Sequence, residues 1–140
     1  MNQYHELILK FLKQNHLCVI STVNRIGHPQ SAVMEYAETN NMELLISTFR
    51  KYRKYPNLVE RKFVAAVIGW DEGVTVQYEG EAHELRDEEL KKMKSVYLTK
   101  LPEAKKWEGM EGISYFRVKP TWIRYTNMKA HPWQVIEIKP

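Results

Sequence analysis

The strongest constraint on the fold is a run of short apolar segments separated by short polar turns. The segment LCVISTV (17–23) is apolar and β-branched, and HPQSAVMEYA (28–37) and MELLIST (42–48) follow it closely. The connections NRIG (24–27) and ETNN (38–41) are rich in residues that favour turns. Strands joined by such short turns run antiparallel, because a parallel pair needs a crossover of roughly a dozen residues or more. We therefore predict an antiparallel meander of three strands in this region.

Helices flank this region in the sequence. Apolar residues at helical spacing predict an amphipathic helix near the N-terminus, at Tyr4, Leu7, Ile8, Phe11 and Leu12. Pro56 fits the first turn of a short helix over about 53–61, because its missing N–H is not needed there. Asp87 and the two acidic residues after it predict the start of another helix.

Further strands are predicted in the second half of the chain, at 62–70, 74–85 and 113–126, and the segment 133–138 is a terminal strand or tail. Gly80 indicates a bulge or bend in the second of them, and Pro120 is expected to interrupt the third. Six or seven mostly antiparallel strands with two or three helices predict a mainly β (α+β) fold. We expect one domain over residues 1–140, built as a small barrel with helices outside.

The composition is that of an ordinary folded domain. Of the 140 residues 44% are hydrophobic, and the formal net charge of +4 permits an anionic ligand without requiring nucleic acid. The single cysteine, Cys18, excludes an internal disulfide and suits a reducing compartment. No signal-peptide pattern is present, and no apolar run approaches the roughly 20 residues of a membrane helix. We expect a cytoplasmic protein with no membrane partner.

The stretch STFRKYRKYPNL (47–58) concentrates basic and aromatic residues between a predicted strand and a predicted helix. Ser47 and Thr48 supply hydroxyl groups, and Arg53 and Lys54 supply two cations within one loop of them. These groups together are the parts of a phosphate site. Two other interpretations stay open, a solvated charged turn and a nucleic-acid contact in which tyrosines of the stretch stack on bases.

Other residue types give weaker signals. The histidines are not at metal-ligand spacings, so no metal site is predicted. The serines lack an evident base partner, so no catalytic residue is predicted and any chemistry would use a cofactor. Among the tryptophans we expect Trp70 and Trp122 in the core, whereas Trp107 and Trp133 are freer to line a pocket or a dimer contact.

The order of these pieces resembles the FMN-binding split-barrel family related to pyridoxamine 5'-phosphate oxidase. The pieces that carry the resemblance lie between Leu17 and Leu85 and are LCVISTVNRIGHPQSAVMEYAETNNMELLIST, RK at 53–54, NL at 57–58, KFVAAVIG and TVQYEGEAHEL. In that family a hydroxyl residue ends the third strand, and a basic pair and Asn-Leu follow at these spacings. The resemblance implies a split β-barrel that binds FMN at the interface of a homodimer and acts on a small-molecule substrate.

The resemblance also implies which residues contact the cofactor. The residues that would hold the FMN phosphate are Ser47, Thr48, Arg53 and Lys54. Those that would line the flavin ring from the second strand are Val33, Met34 and Glu35. Thr75 and Gln77 would reach the flavin from the strand predicted at 74–85, which follows the turn DEG (71–73). Trp133 of the second subunit would close the pocket.

Departures from the family pattern limit what is implied. A serine expected four residues after Thr48 is Tyr52. An arginine that the oxidase carries on its second strand falls at Ala32, and a glutamine on its fifth strand that contacts the flavin falls at Thr75. The oxidase's substrate-binding C-terminal segment is not recognisable in MKAHPWQVIEIKP. These departures argue against pyridoxamine phosphate oxidation and indicate a flavin-binding oxidoreductase of unknown substrate. A cofactor-free protein or a haem or deazaflavin binder on the same barrel stays open, and a nucleic-acid module is the less favoured alternative.

Overall fold

The computed structural model of the chain describes residues 2–140. It contains three α-helices, a 3-10 helix and eight strands. The helices are α1 (Gln3–Gln14), α2 (Lys54–Glu60), α3 (Asp87–Lys100) and the 3-10 helix (Pro102–Trp107). The strands are β1 (Leu17–Val23), β2 (Pro29–Glu35), β3 (Ala37–Glu38), β4 (Leu44–Phe49), β5 (Phe63–Ile68), β6 (Val74–Glu84), β7 (Ile113–Asn127) and β8 (Gln134–Ile138).

All eight strands belong to one antiparallel sheet that curls into a split barrel. The strand order is β2-β1-β5-β6-β7-β4-β3, and β8 pairs with the far half of β7. The first and last strands of this order, β2 and β3, are separated in the chain by Tyr36 alone. The two ends of the sheet are therefore held together by the chain itself. The predicted fold class, mainly β with a few flanking helices, is confirmed.

The meander predicted for the first three strands is only partly right. Strands β1 and β2 form a regular hairpin, with Leu17 opposite Glu35 and Val23 opposite Pro29. Strand β4 does not continue it, because β4 pairs with β3 and β7 at the other edge of the sheet. The chain changes direction at Tyr36, whose buried hydroxyl donates to the carbonyl oxygen of Leu12 at 2.6 Å. This contact separates the predicted strand 28–37 into β2 and β3.

The bulge predicted at Gly80 is confirmed, whereas the interruption predicted at Pro120 is wrong. The register between β6 and β7 shifts between Glu79 and Gly80, and Thr121 is the extra residue on β7. Pro120 lies opposite Gly80 at this irregularity, where the regular ladder is already disrupted, so β7 continues through it. Only glycine fits here, because a Cβ at Gly80 would lie 2.5 Å from the carbonyl oxygen of Lys119.

Two hydrophobic clusters stabilise the barrel. The larger one fills the inside of the curled sheet beneath α1, and the smaller one lies between α3 and the outer face of β4 and β7. Trp70 and Trp122, predicted in the core, belong to neither cluster. Trp70 is 51% exposed because it lies in the turn after β5, and Trp122 is half-buried on the face of β7 opposite the buried Ile123. Within residues 2–140 no helix is long and apolar enough to cross a membrane.

Candidate cofactor site

Two adjoining cavities open beside the loop that joins β4 to α2. The first has a volume of about 230 Å³ and lies between the β1–β2 hairpin and Arg53. The second has a volume of about 320 Å³ and lies between the end of β2, the end of β4 and α3. Tyr52 and Lys54 line both cavities, so the two volumes meet around these side chains. Binding pockets for cofactor-sized ligands hold roughly 300–1,000 Å³, which the second cavity alone reaches.

The end of β4 brings hydroxyl groups to the second cavity. Ser47 and Thr48 both line it, with their side chains on opposite faces of the strand. The Ser47 hydroxyl lies 3.1 Å from the Tyr97 hydroxyl of α3. The hydroxyl oxygens of Thr48 and of its cross-strand neighbour Ser114 are buried and have no hydrogen-bond partner. A buried hydroxyl without a partner costs free energy, so this end of β4 has unused capacity for hydrogen bonding.

The loop after β4 carries cations without counter-ions. None of the ion pairs formed among residues 2–140 includes a basic residue of 50–54. Arg53 is exposed, whereas Lys54 is half-buried with its Nζ 5.6 Å from the centroid of the Tyr52 ring. Burial lowers the pKa of Lys54, and the neighbouring charge of Arg53 lowers it further. A bound anion would offset both effects, so the charge pattern favours an anionic ligand.

Helix α2 is fixed against the hairpin by Asn57. Its side-chain amide donates to the Thr22 hydroxyl at 3.1 Å and to the Gln30 side-chain oxygen at 2.9 Å, and Asn57 itself is buried. The next residue, Leu58, is buried in the main core. The Asn-Leu pair therefore holds the start of α2, and with it Arg53 and Lys54, beside the first cavity.

Helix α3 contributes Tyr97 to the second cavity. Burial raises the pKa of Tyr97, so its hydroxyl stays protonated and can donate a hydrogen bond. Sequence reasoning missed this residue. The contact between Tyr97 and Ser47 joins residues that are 50 positions apart in sequence, and no local pattern reports such a distance. Phe49 and Ile113 also line this cavity and were not predicted.

The structure brings most of the predicted cofactor residues together. Those around the second cavity are Val33, Met34, Glu35, Ser47, Thr48 and Lys54, and Arg53 lines the first. Trp107, predicted as free to line a pocket, lines the second cavity. Thr75, Gln77 and Trp133 line neither cavity of this protomer. The Thr75 hydroxyl lies 3.5 Å from the Ile68 carbonyl oxygen, and Gln77 and Trp133 are exposed.

The side chains that could ligate a metal do not cluster in the described residues. Within the described part of the chain, no three side chains of His, Cys, Asp or Glu lie close enough together to hold a metal ion. Cys18 is buried, and burial raises the pKa of its thiol to about 12, so the thiol stays protonated. The polar groups that line the two cavities include hydroxyl groups, the cations Arg53 and Lys54, the Gln30 amide and the Glu35 carboxylate.

The sequence from residue 4 to residue 127 matches the family model described as pyridoxamine 5'-phosphate oxidase. The chain belongs to the pyridoxamine 5'-phosphate oxidase family. The family resemblance that the sequence motifs indicated is thereby confirmed. No curated protein matches this family member at a significant level.

Solved structures confirm the fold of this family member. A heme-binding protein from Mycobacterium smegmatis has a TM-score of 0.85 at 13% identity, over 99% of this chain and 59% of that protein. A pyridoxamine 5'-phosphate oxidase-related, FMN-binding protein from Nostoc punctiforme has a TM-score of 0.71 at 11% identity, over 100% of this chain and 98% of that protein. General Stress Protein 26 from Bacillus anthracis has a TM-score of 0.75 at 18% identity, over 98% of this chain and 100% of that protein. Our chain thus spans about three fifths of the mycobacterial protein.

Proposed function

We propose that this protein binds FMN non-covalently and works as a flavin-dependent oxidoreductase on a small-molecule substrate. One observation carries the proposal. Arg53 and Lys54, two cations without a counter-ion, lie near the hydroxyl groups at the end of β4, where the two cavities meet. A flavin phosphate is a dianion with several acceptor oxygens, and charge-assisted hydrogen bonds from Arg and Lys are the strongest that a protein offers it. Thr48, whose hydroxyl lacks a partner, is a further donor in this neighbourhood.

The end of β2 suits the flavin ring. Strand β2 lies at the sheet edge and pairs only with β1, so alternate backbone N–H and C=O groups of Val33–Glu35 point away from the sheet. A flavin ring offers donors and acceptors along one edge that can pair with such groups. Bound FMN would supply the electron or hydride transfer, and this chain would supply anchoring, orientation and a pocket for the substrate.

A homodimer belongs to the same proposal. Val33 and Phe63 are 61% and 65% exposed, which leaves apolar side chains on strands β2 and β5 that a second copy would cover. Thr75 and Gln77 lie outside the cavities of their own protomer, so they would contact the flavin only from the second subunit. Trp133, which is 60% exposed, would close the pocket from the partner in the same way. We further propose that the dimer works in the cytoplasm.

In the nucleic-acid alternative Tyr52 and Tyr55 would stack on bases, but Tyr55 is engaged in other contacts. The Tyr55 hydroxyl donates to Glu84 at 2.9 Å, and the Tyr55 ring packs edge-to-face on Phe116 at 5.8 Å. Only Tyr52 is left with an exposed ring in this stretch, being 49% exposed. A haem would need an axial ligand, and Met34, Tyr52 and Tyr97, which line the second cavity, are of residue types that can ligate haem iron. The position of Tyr55 favours the flavin over nucleic acid, and a titration with haemin decides the haem alternative.

Retention of FMN tests the proposal. The purified protein is mixed with FMN, desalted, and its visible absorption spectrum is recorded before and after a reductant is added. We expect a two-banded flavin spectrum that bleaches on reduction. The double variant Arg53→Ala/Lys54→Ala removes two charge-assisted hydrogen bonds of about 1.5–3 kcal/mol each, so FMN affinity should fall by roughly 100-fold or more.

The matched control is Lys91→Ala/Lys92→Ala, which removes the same charge from the exposed face of α3. It should retain FMN like the wild type. Equal retention by both double variants would contradict the phosphate assignment. A colourless wild type that does not retain FMN would refute the flavin function, and haemin and deazaflavin titrations would then decide between the other cofactors. Salt-dependent oligonucleotide binding would support the nucleic-acid alternative instead.

A further inference from the structure

An aromatic rim borders the second cavity. It consists of Phe49, Tyr52 and Trp107, which all line that cavity. The Phe49 ring centroid lies 5.8 Å from that of Tyr52 and 6.4 Å from that of Trp107, with ring planes at 83° and 89°. Tyr52 and Trp107 thus stand edge-to-face against Phe49, and they remain 49% and 41% exposed. The exposed parts of these two rings can be reached by a planar ligand.

Two lysines accompany this rim. The Lys51 Nζ lies 5.6 Å from the Tyr52 ring centroid, and the Lys106 Nζ lies 5.0 Å from that of Trp107. Neither lysine takes part in an ion pair with another described residue. In the proposed function Arg53 and Lys54 neutralise the cofactor phosphate. Lys51 and Lys106 are therefore left for a second anionic group.

The rim is assembled from two distant segments. Phe49, Lys51 and Tyr52 come from the end of β4 and the loop after it, whereas Lys106 and Trp107 come from the 3-10 helix. The contact between the Phe49 and Trp107 rings joins the two segments. The Arg50 N–H also donates to the carbonyl oxygen of Gly112, in the turn between the 3-10 helix and β7, at 2.8 Å. Ligand pockets are lined mainly by apolar and aromatic side chains with a few charged groups that fix the orientation of the ligand. The rim fits this description, with Lys51 and Lys106 standing beside the cavity and not in its lining.

We propose that this rim is the substrate subsite and that it takes a planar aromatic carboxylic acid. The aromatic ring of the substrate stacks on Trp107 or Tyr52, and the carboxylate pairs with Lys106 or Lys51. This inference rests on the proposed flavin function, because the cavity that the rim borders is also lined by the end of β2, which would hold the flavin ring. It assigns the rim to the substrate and leaves the cofactor to β2, Arg53 and Lys54.

Calorimetric titration with two matched probes tests this subsite. The probes are 2-naphthoate and the uncharged 2-naphthamide, titrated into FMN-loaded protein. We expect the carboxylate to bind about tenfold more tightly than the amide. Trp107→Ala should weaken both probes by about tenfold, because stacking on an aromatic side chain contributes about that much. Lys51→Ala/Lys106→Ala should abolish only the advantage of the carboxylate over the amide.

Trp70→Ala is the matched control, since Trp70 is 51% exposed against 41% for Trp107 but lies in the β5–β6 turn and lines neither cavity. It should leave the affinities for both probes unchanged. Equal affinity for carboxylate and amide, or an unchanged affinity in Trp107→Ala, would overturn the proposal. Loss of FMN retention in Trp107→Ala would overturn it too, because the rim would then belong to the cofactor.

The outcome can be separated from the flavin question. If the wild type retains no FMN, the proposed function fails, and the same titrations are run on the cofactor-free protein. Carboxylate binding that depends on Trp107 and on the two lysines would then still support the rim as an aromatic-acid site. Its absence in the cofactor-free protein would overturn the site together with the function.

Discussion

Replacing Lys100 by methionine should destabilise the protein far more than the loss of an ordinary surface charge. The Lys100 Nζ lies 2.8 Å from a carboxylate oxygen of Glu38, with side-chain exposures of 13% and 6%. It also donates to the Leu12 carbonyl oxygen at 3.0 Å and lies 4.2 Å from the centroid of the Tyr36 ring. Through these contacts the C-terminal end of α3 is held to α1 and β3.

The size of the expected loss of stability follows from the burial of Glu38, the partner of Lys100. Burial lowers the pKa of Lys100, and the hydrogen bond to Glu38 opposes that effect, so the lysine charge depends on Glu38. Methionine matches the length of the lysine side chain but leaves the Glu38 carboxylate buried and uncompensated. Breaking one partner of a buried ion pair costs about 3–5 kcal/mol. The effect should fall at the lower end, about 3 kcal/mol, because Glu38 can protonate or gain water.

Urea denaturation followed by circular dichroism measures this change. The double variant Glu38→Gln/Lys100→Met should recover at least half of the lost stability, because it removes the uncompensated charge. The control is Lys62→Met, which breaks an exposed pair with Glu81 whose N–O distance is 3.0 Å and should cost less than about 1 kcal/mol. If Lys100→Met costs no more than Lys62→Met, the reasoning about the buried pair is wrong.

Two further predictions concern the site and the sheet. Asn57→Ala removes the hydrogen bonds to Thr22 and Gln30 and should lower the free energy of unfolding by about 2 kcal/mol. The variant should also retain FMN less well. An unchanged midpoint of urea denaturation would refute the predicted loss of stability. A hydrogen bond from Arg124 lowers the pKa of the exposed Glu137 carboxyl. Arg124→Ala should raise that pKa towards its ordinary value in a two-dimensional NMR titration. Because the folded-state pKa is lowered, this contact stabilises the protein at neutral pH and is lost as pH falls through it. An unchanged Glu137 pKa would contradict this cause.

Local patterns in the sequence were sufficient for most of the elements. The apolar spacing in residues 4–12 predicts α1, because one apolar stripe at helical spacing has to pack against a core. The segment 17–23 coincides with β1, since β-branched residues between two turns favour an extended strand. Gly80 was recognised as a bulge because a strand interior rarely contains a glycine without a close backbone approach. These are all properties of a few neighbouring residues.

The sequence alone did not predict which strands pair with each other beyond the β1–β2 hairpin. β4 and β7 pair through residues such as Ser47 and Tyr115, which are far apart in the chain. Nothing in either segment specifies that partner, because any apolar strand offers the same backbone groups. The chain leaves the β1–β2 hairpin at Tyr36, whose hydroxyl contacts Leu12 of α1, and a tertiary contact of this kind is not visible in a local sequence pattern.

By itself the sequence determined the family and the mainly β fold, and it pointed to Ser47, Thr48, Arg53 and Lys54 as the residues proposed to hold a phosphate, since these depend on short motifs in a fixed order. Only the tertiary structure placed Tyr97 beside Ser47 and Trp107 beside Phe49, and only the tertiary structure showed that Tyr55 faces Glu84 and not the solvent. These positions depend on how α3 and the 3-10 helix pack on the sheet. Such packing is set by the shape and burial of many side chains together, and no local pattern encodes it.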